Sequence, residues 1–130
     1  MSIILGQRSL SRLEGVHPDL VRVVKKAAVL SSLDFTVLEG LRTQARQKQL
    51  MDLGATRTMN LRHLTGHAVD LAPMVGGTVR WDWPLYHQLA VIVKEAARAE
   101  NVPIQWGGDW RTFKDGPHWE LPWKAYPKGK

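Results

Sequence analysis

The chain has 130 residues, 44% of them hydrophobic, which suits one globular domain with a single core. It contains no cysteine, which excludes disulfides and thiolate metal sites, so any metal must be held by His and carboxylate. The 18 Lys and Arg outnumber the 12 Asp and Glu, and the net charge of +6 favours an anionic partner such as nucleic acid, an anionic membrane face or an acidic cell-wall polymer. No nucleic-acid-binding motif appears. No apolar run is long enough for a membrane-spanning helix, so stable membrane insertion is not expected. Met1–Arg8 lacks the basic start and apolar core of a secretory signal.

In chain order, residues 8–16 read as a short helix or turn, with Leu10 and Leu13 at helical spacing. Pro18 starts a helix to about Ser31 whose core face carries Leu20, Val23, Val24, Ala27 and Leu30. Residues 34–39 alternate as a strand that Gly40 and Leu41 carry to Arg42. Thr43 caps a second helix to about Leu53, ended by Gly54, and a polar loop fills 55–62. Ala68–Leu71 is a buried strand. Gly76-Gly77 is a turn, and residues 78–81 form a short strand. Asp82 caps a third helix that Pro84 starts and that runs to about Glu100. Its apolar stripe is Leu85, Leu89, Ile92, Val93 and Ala96. Residues 104–106 and 118–121 read as strands around a loop from Gly107 to Gly116. This order predicts a small α+β domain spanning 1–130.

The chemistry concentrates in two stretches, Arg62–Asp70 and Asp115–Glu120. His63, Asp70 and His118 are two imidazoles and one carboxylate, a ligand set that leaves a fourth zinc position open for catalysis. Gly66 permits a turn that brings His63 and Asp70 together. Asp70 stands inside an apolar run, where a metal or a salt bridge must offset its burial. His67, four residues after His63, competes as a ligand. Gly66 weakens a helix there, so His67 reads as a supporting or substrate-facing residue. Asp115, three residues before His118, can take a proton from a water beside the metal; an ordinary Asp-Gly-Pro surface turn is the alternative. Arg42, at a strand end, can stabilise an oxyanion or simply lie at the surface. His17 and His87 read as surface or helix-edge residues. Most tryptophans will be core or cleft wall, and Trp110 and Trp119 are expected to line a groove for a polymer substrate.

With these residues in view, the chain resembles the zinc D-alanyl-D-alanine carboxypeptidase and L-alanyl-D-glutamate endopeptidase family, in particular single-domain phage endolysins. The family pattern S-x-H-x-x-G-x-A-x-D reads here as Leu61 to Asp70, and D/E-x-x-H reads as Asp115 to His118. The stretches Glu39–Arg42 and Trp106–Trp110 match in kind and order. The resemblance implies a small antiparallel sheet flanked by helices, as in hedgehog domains. It implies one Zn2+ per chain on His63, Asp70 and His118, with Asp115 as general base and then acid and Arg42 as oxyanion stabiliser. The implied substrate is the peptidoglycan stem peptide, cut by a monomer. The implied setting is the host bacterial cytoplasm before lysis, then the periplasmic wall after release through a membrane pore. Leu61 stands where the family has Ser. A D-alanyl-D-alanine carboxypeptidase and a catalytically weak zinc-bound wall-binding module are the alternatives.

Overall fold

The computed structural model describes residues 2–41, 45, 48–49, 52–53, 62–112 and 114–127. Among these, three helices and five strands form an α+β fold: α1 (Gln7–Arg12), α2 (Pro18–Leu30), β1 (Phe35–Glu39), β2 (Ala68–Val75), β3 (Thr78–Val79), α3 (Trp83–Ala99), β4 (Gln105–Trp106) and β5 (His118–Glu120). Short 3-10 turns cover Arg62–Thr65 and Gly107–Asp109. The helix expected from Thr43 to Leu53, the loop that follows it and Leu61 fall largely or wholly outside the described residues.

The sheet is antiparallel in the order β1-β2-β5-β4, and β3 pairs with the far end of β2. Its strands alternate faces, as the period of two requires. Phe35, Val37, Val69, Leu71 and Trp119 join Leu20, Val23, Val24 and Ala27 of α2 and Leu89, Val93 and Ala96 of α3 in one core. Asp70, His118 and Glu120 therefore fall on the other face. There Asp70 lies directly opposite His118 across the β2–β5 ladder.

Local choices agree with this arrangement. Pro18 sits in the first turn of α2, and His17 Nδ1 accepts from the Asp19 amide. Asp82 does occupy the position before α3, but it makes no side-chain cap. Its carboxylate pairs with Arg80 instead, at 2.6 Å. Two expected core positions shift. Leu30 is 41% exposed because α2 ends there, and Ala28 is buried in its stead. On α3 the buried stripe runs through Tyr86, Ala90 and Ala97 as well as Leu89, Val93 and Ala96, while Leu85 and Ile92 are only partly buried.

Two devices hold the site's flanks. Arg62 is buried, and its guanidinium donates to the carbonyls of Leu121 and Tyr126, which pins the C-terminal segment. Gly66 adopts φ +78°, where only glycine is at ease, and a Cβ there would run into the Gly15 carbonyl oxygen. Replacing Gly66 by Ala combines backbone strain with a steric clash. It is expected to cost about 1–3 kcal/mol of stability, read as a lower urea midpoint at unchanged slope.

Candidate active site

His63 enters from the 3-10 turn before β2, Asp70 from the middle of β2 and His118 from the start of β5. One ligand atom from each lies within 4.8 Å of the others. Asp70 Oδ1 stands 3.2 Å from His63 Nε2 and 3.5 Å from His118 Nδ1. Tetrahedral zinc with bonds of about 2.0–2.1 Å sets neighbouring ligands roughly 3.3 Å apart, so both distances fit.

The outer nitrogens decide the chemistry. His63 Nδ1 donates to the Gly40 carbonyl at 2.8 Å, and His118 Nε2 donates to the Glu120 carboxylate at 2.7 Å. A carbonyl or carboxylate only accepts, so the hydrogens sit on these outer atoms. The inner nitrogens of the neutral rings then present lone pairs to Asp70 Oδ1. In that neutral form the three acceptors converge on one point and repel one another until a cation lies between them, either a proton taken up by His118 or a metal ion. The group can therefore hold a metal ion, and outer-shell acceptors of this kind orient metal-binding imidazoles.

The backbone explains how Gly40 reaches His63. The β1–β2 register shifts between Val37 and Glu39, so Glu39 pairs with Asp70. Such a bulge bends the strand end, and the next carbonyl, that of Gly40, accepts from His63. A Cβ on Gly40 would run into the Arg12 carbonyl oxygen, so only glycine fits this close approach.

Asp115 sits half-buried on the turn before β5. Its amide donates to the Gly107 carbonyl at 3.1 Å, and its own carbonyl accepts from the His118 amide at 3.2 Å. A Cβ on Gly107 would stand 3.0 Å from the Cβ atoms of both Asp115 and His118, so these two side chains leave the backbone together. Trp106 Nε1 donates to the Gly116 carbonyl at 2.7 Å and braces the same turn. Trp110 is half-buried, with its ring 5.1 Å from that of His118, at the border of the cluster.

Other expected site residues lie elsewhere. Trp119 does not face a groove. It is 1% exposed and stacks on Trp106 with ring centroids 5.7 Å apart. Because His118 and Glu120 share the site face, the residue between them must enter the core. His67 is 4% exposed; its Nδ1 bonds Thr65 Oγ1 at 2.7 Å, and its ring packs beside His17 and Tyr126. Arg42 lies outside the described residues. Sequence reasoning passed over Glu120, although a carboxylate two residues after His118 in a strand had to share its face. No sequence signal marks the Gly40 carbonyl.

A His–Asp–His cluster with both imidazoles buried, and Asp115 on the braced turn that leads into His118, is an arrangement suited to a hydrolase that uses one divalent ion. The chain belongs to the phage L-alanyl-D-glutamate peptidase family, which it matches over residues 1–121. It is 30% identical over 119 residues to the L-alanyl-D-glutamate peptidase of Escherichia phage T5, covering 88% of this chain and 87% of that protein. It is 34% identical over 96 residues to the L-alanyl-D-glutamate peptidase of Listeria phage A118, covering 74% of this chain but only 33% of that longer relative. Among solved structures, the L-Ala D-Glu endopeptidase ChiX of Serratia marcescens matches with a TM-score of 0.88 and 50% identity, over 93% of this chain and 91% of that one. The expected fold and family are thus both found.

The cluster's charges predict how stability varies with pH. Burial opposes ionisation of Asp70, but the His63 and His118 imidazoles outweigh it and hold the carboxyl well below the usual range. Burial likewise opposes charge on His118, yet its bonds to Asp70 and Glu120 push the imidazole up to about 9. A raised histidine stabilises fully below its unfolded value of about 6.5, and that contribution is lost as pH rises through the folded value. A depressed carboxylate stabilises above its unfolded value of about 3.9 and loses that contribution as pH falls. Metal-free protein should therefore melt at its highest temperature between these limits and at falling temperature from pH 6.5 to 9. A flat calorimetric Tm over that upper window would contradict the arrangement.

Proposed function

We propose that this protein is a zinc-dependent endopeptidase that hydrolyses the L-alanyl-D-glutamate bond of peptidoglycan stem peptides, as a phage-type endolysin. The observation that carries the reading is the convergence of three lone pairs from His63, Asp70 and His118, with both outer N–H groups already committed to Gly40 and Glu120. Family membership and the names of the relatives support the bond assignment and favour it over D-alanyl-D-alanine carboxypeptidase activity.

His63 Nε2, Asp70 Oδ1 and His118 Nδ1 would hold one zinc ion per chain. When bound, zinc supplies a Lewis acid that lowers the pKa of a water to about 7 and polarises a carbonyl. The Asp115 carboxylate takes the proton of the attacking water and returns it to the departing amine of D-glutamate. The L-alanine side keeps the new carboxylate. Arg42 is assigned to the developing oxyanion, on the strength of the family pattern. Trp110 forms a wall of the cleft. The enzyme would work as a monomer with residues 1–130 as a single domain. It would be made in the host cytoplasm and reach the periplasmic wall through a membrane pore.

The direct test is mass spectrometry of fragments from Gram-negative peptidoglycan digested with zinc or with chelator. Chelator-sensitive release of peptides beginning at D-glutamate is expected. Free D-alanine alone would indicate the carboxypeptidase, and an intact wall would indicate a binding module, with Leu61 the first suspect. Asp115→Ala should retain zinc and lose about 100-fold or more in kcat. If it cuts at the parental rate, Asp115 is not the base.

Glu120→Ala removes the acceptor that orients His118. Its zinc affinity should fall about 10- to 100-fold in competition with a chromophoric chelator. Parental affinity would show that Glu120 does not tune the ligand.

A further inference from the structure

Trp81 and Trp83 are exposed, at 61% and 42%, where β3 leads into α3. A lone exposed apolar side chain is ordinary, but two large indoles exposed on one short stretch mark a surface that something covers. Both rest on residues that brace the turn carrying Asp115. The Trp81 ring centroid lies 6.5 Å from that of Tyr86, and the Trp83 centroid lies 5.9 Å from Tyr86 and 6.4 Å from Trp106. Tyr86 packs against Gly116, where an added Cβ would stand 3.2–3.4 Å from three of its ring carbons, and Trp106 donates to the Gly116 carbonyl at 2.7 Å. The aromatic surface is thus continuous with the turn that leads into His118. Its charges are already matched: Arg80 and Asp82, on either side of Trp81, pair at 2.6 Å, and Lys94, over the Trp106 ring, pairs with Asp109 at 2.7 Å.

We propose that Trp81 and Trp83 form a docking surface for the glycan strand that carries the stem peptide. The proposal rests on the peptidase reading and deepens it. The L-alanine of a stem peptide is joined to the lactyl group of a wall sugar. The sugar therefore lies only about 7 Å from the L-alanyl-D-glutamate bond, roughly the span of two extended residues. A peptidase that cuts this bond meets the glycan just outside its catalytic cluster, and the strand then runs on across the neighbouring surface. Pyranose rings present an apolar C–H face, and an indole offers it a broad flat partner that needs no charge. An anionic lipid face or a nucleic-acid backbone would instead call for unpaired cations, and Arg80 and Lys94 are both taken by carboxylates. Neutral N-acetylated sugars fit this surface better than either.

The test compares kcat/KM on two soluble substrates that share one stem peptide. One carries the N-acetylglucosaminyl-N-acetylmuramyl disaccharide on its L-alanine, and the other carries only an acetyl group there. The parent should favour the sugar-bearing substrate by about ten-fold, and Trp81→Ala should cut that preference about 3- to 10-fold. Both substrates meet the same protein preparation, so any loss of folded or metal-loaded protein cancels in the ratio. A preference absent from the parent, or unchanged in Trp81→Ala, would overturn the proposal and leave the peptidase reading intact. Weaker binding of the variant to phosphatidylglycerol vesicles, with the ratio unchanged, would overturn it too and assign the surface to lipid. A parent that cuts neither substrate would remove the peptidase reading and this proposal with it.

Discussion

The cross-strand pairing of Asp70 with His118 is the constraint on which the rest depends. Antiparallel neighbours directly opposite each other have side chains on the same face. This one register therefore sets a carboxylate beside an imidazole before any side chain chooses a rotamer. It also sends Val69 and Trp119 into the core, so slipping the ladder by one residue would bury Asp70 and His118 among α2 and α3 and expose the core. Core and site specify the same register, which is why a strand pair of three residues is enough to hold it.

Much of this was legible because it depends on local rules. The starts of α2 and α3 follow from Pro18 and Pro84, and the alternation around β1 follows from its apolar spacing. The three convergent residues were legible as a ligand set of the right chemical types. What escaped was mostly a matter of tertiary geometry. Asp82 has the right residue type for a cap, yet the Arg80 charge captured its carboxylate. Tyr86 lies beside the expected stripe of α3, and only the packing of that helix against the Asp115 turn brings it inward. The bulge between Val37 and Glu39, which positions the Gly40 carbonyl, has no composition signal. Trp119 was legible too, since strand alternation sends it to the core face, away from His118.

The described residues between Gly107 and Gly116 are held by several hydrogen bonds. The backbone is tied at one end by the Asp115 amide to the Gly107 carbonyl and at the other by Trp106 Nε1 to the Gly116 carbonyl. Lys114 reaches back to the carbonyls of Gly108 and Trp110. Glycine at 107 and 116 removes the side chains that would hold the turn away from β5 and from Tyr86. If Asp115 is the proposed base, such support helps it, because a base works best when it reaches the reacting atoms without reorganisation.

Charge balance explains why Glu120 matters beyond its bond to His118. The cluster holds two carboxylates, the partly buried Asp70 and the buried Glu120, with two buried imidazoles between and around them. A proton on His118 offsets only one of the two negative charges. A divalent ion offsets both and leaves the cluster neutral, which is the condition under which charges are tolerated away from water. Asp115 is half-buried on the neighbouring turn. On the proposed reading, Asp70 and Glu120 would balance the ion and Asp115 would be left to gain and lose a proton.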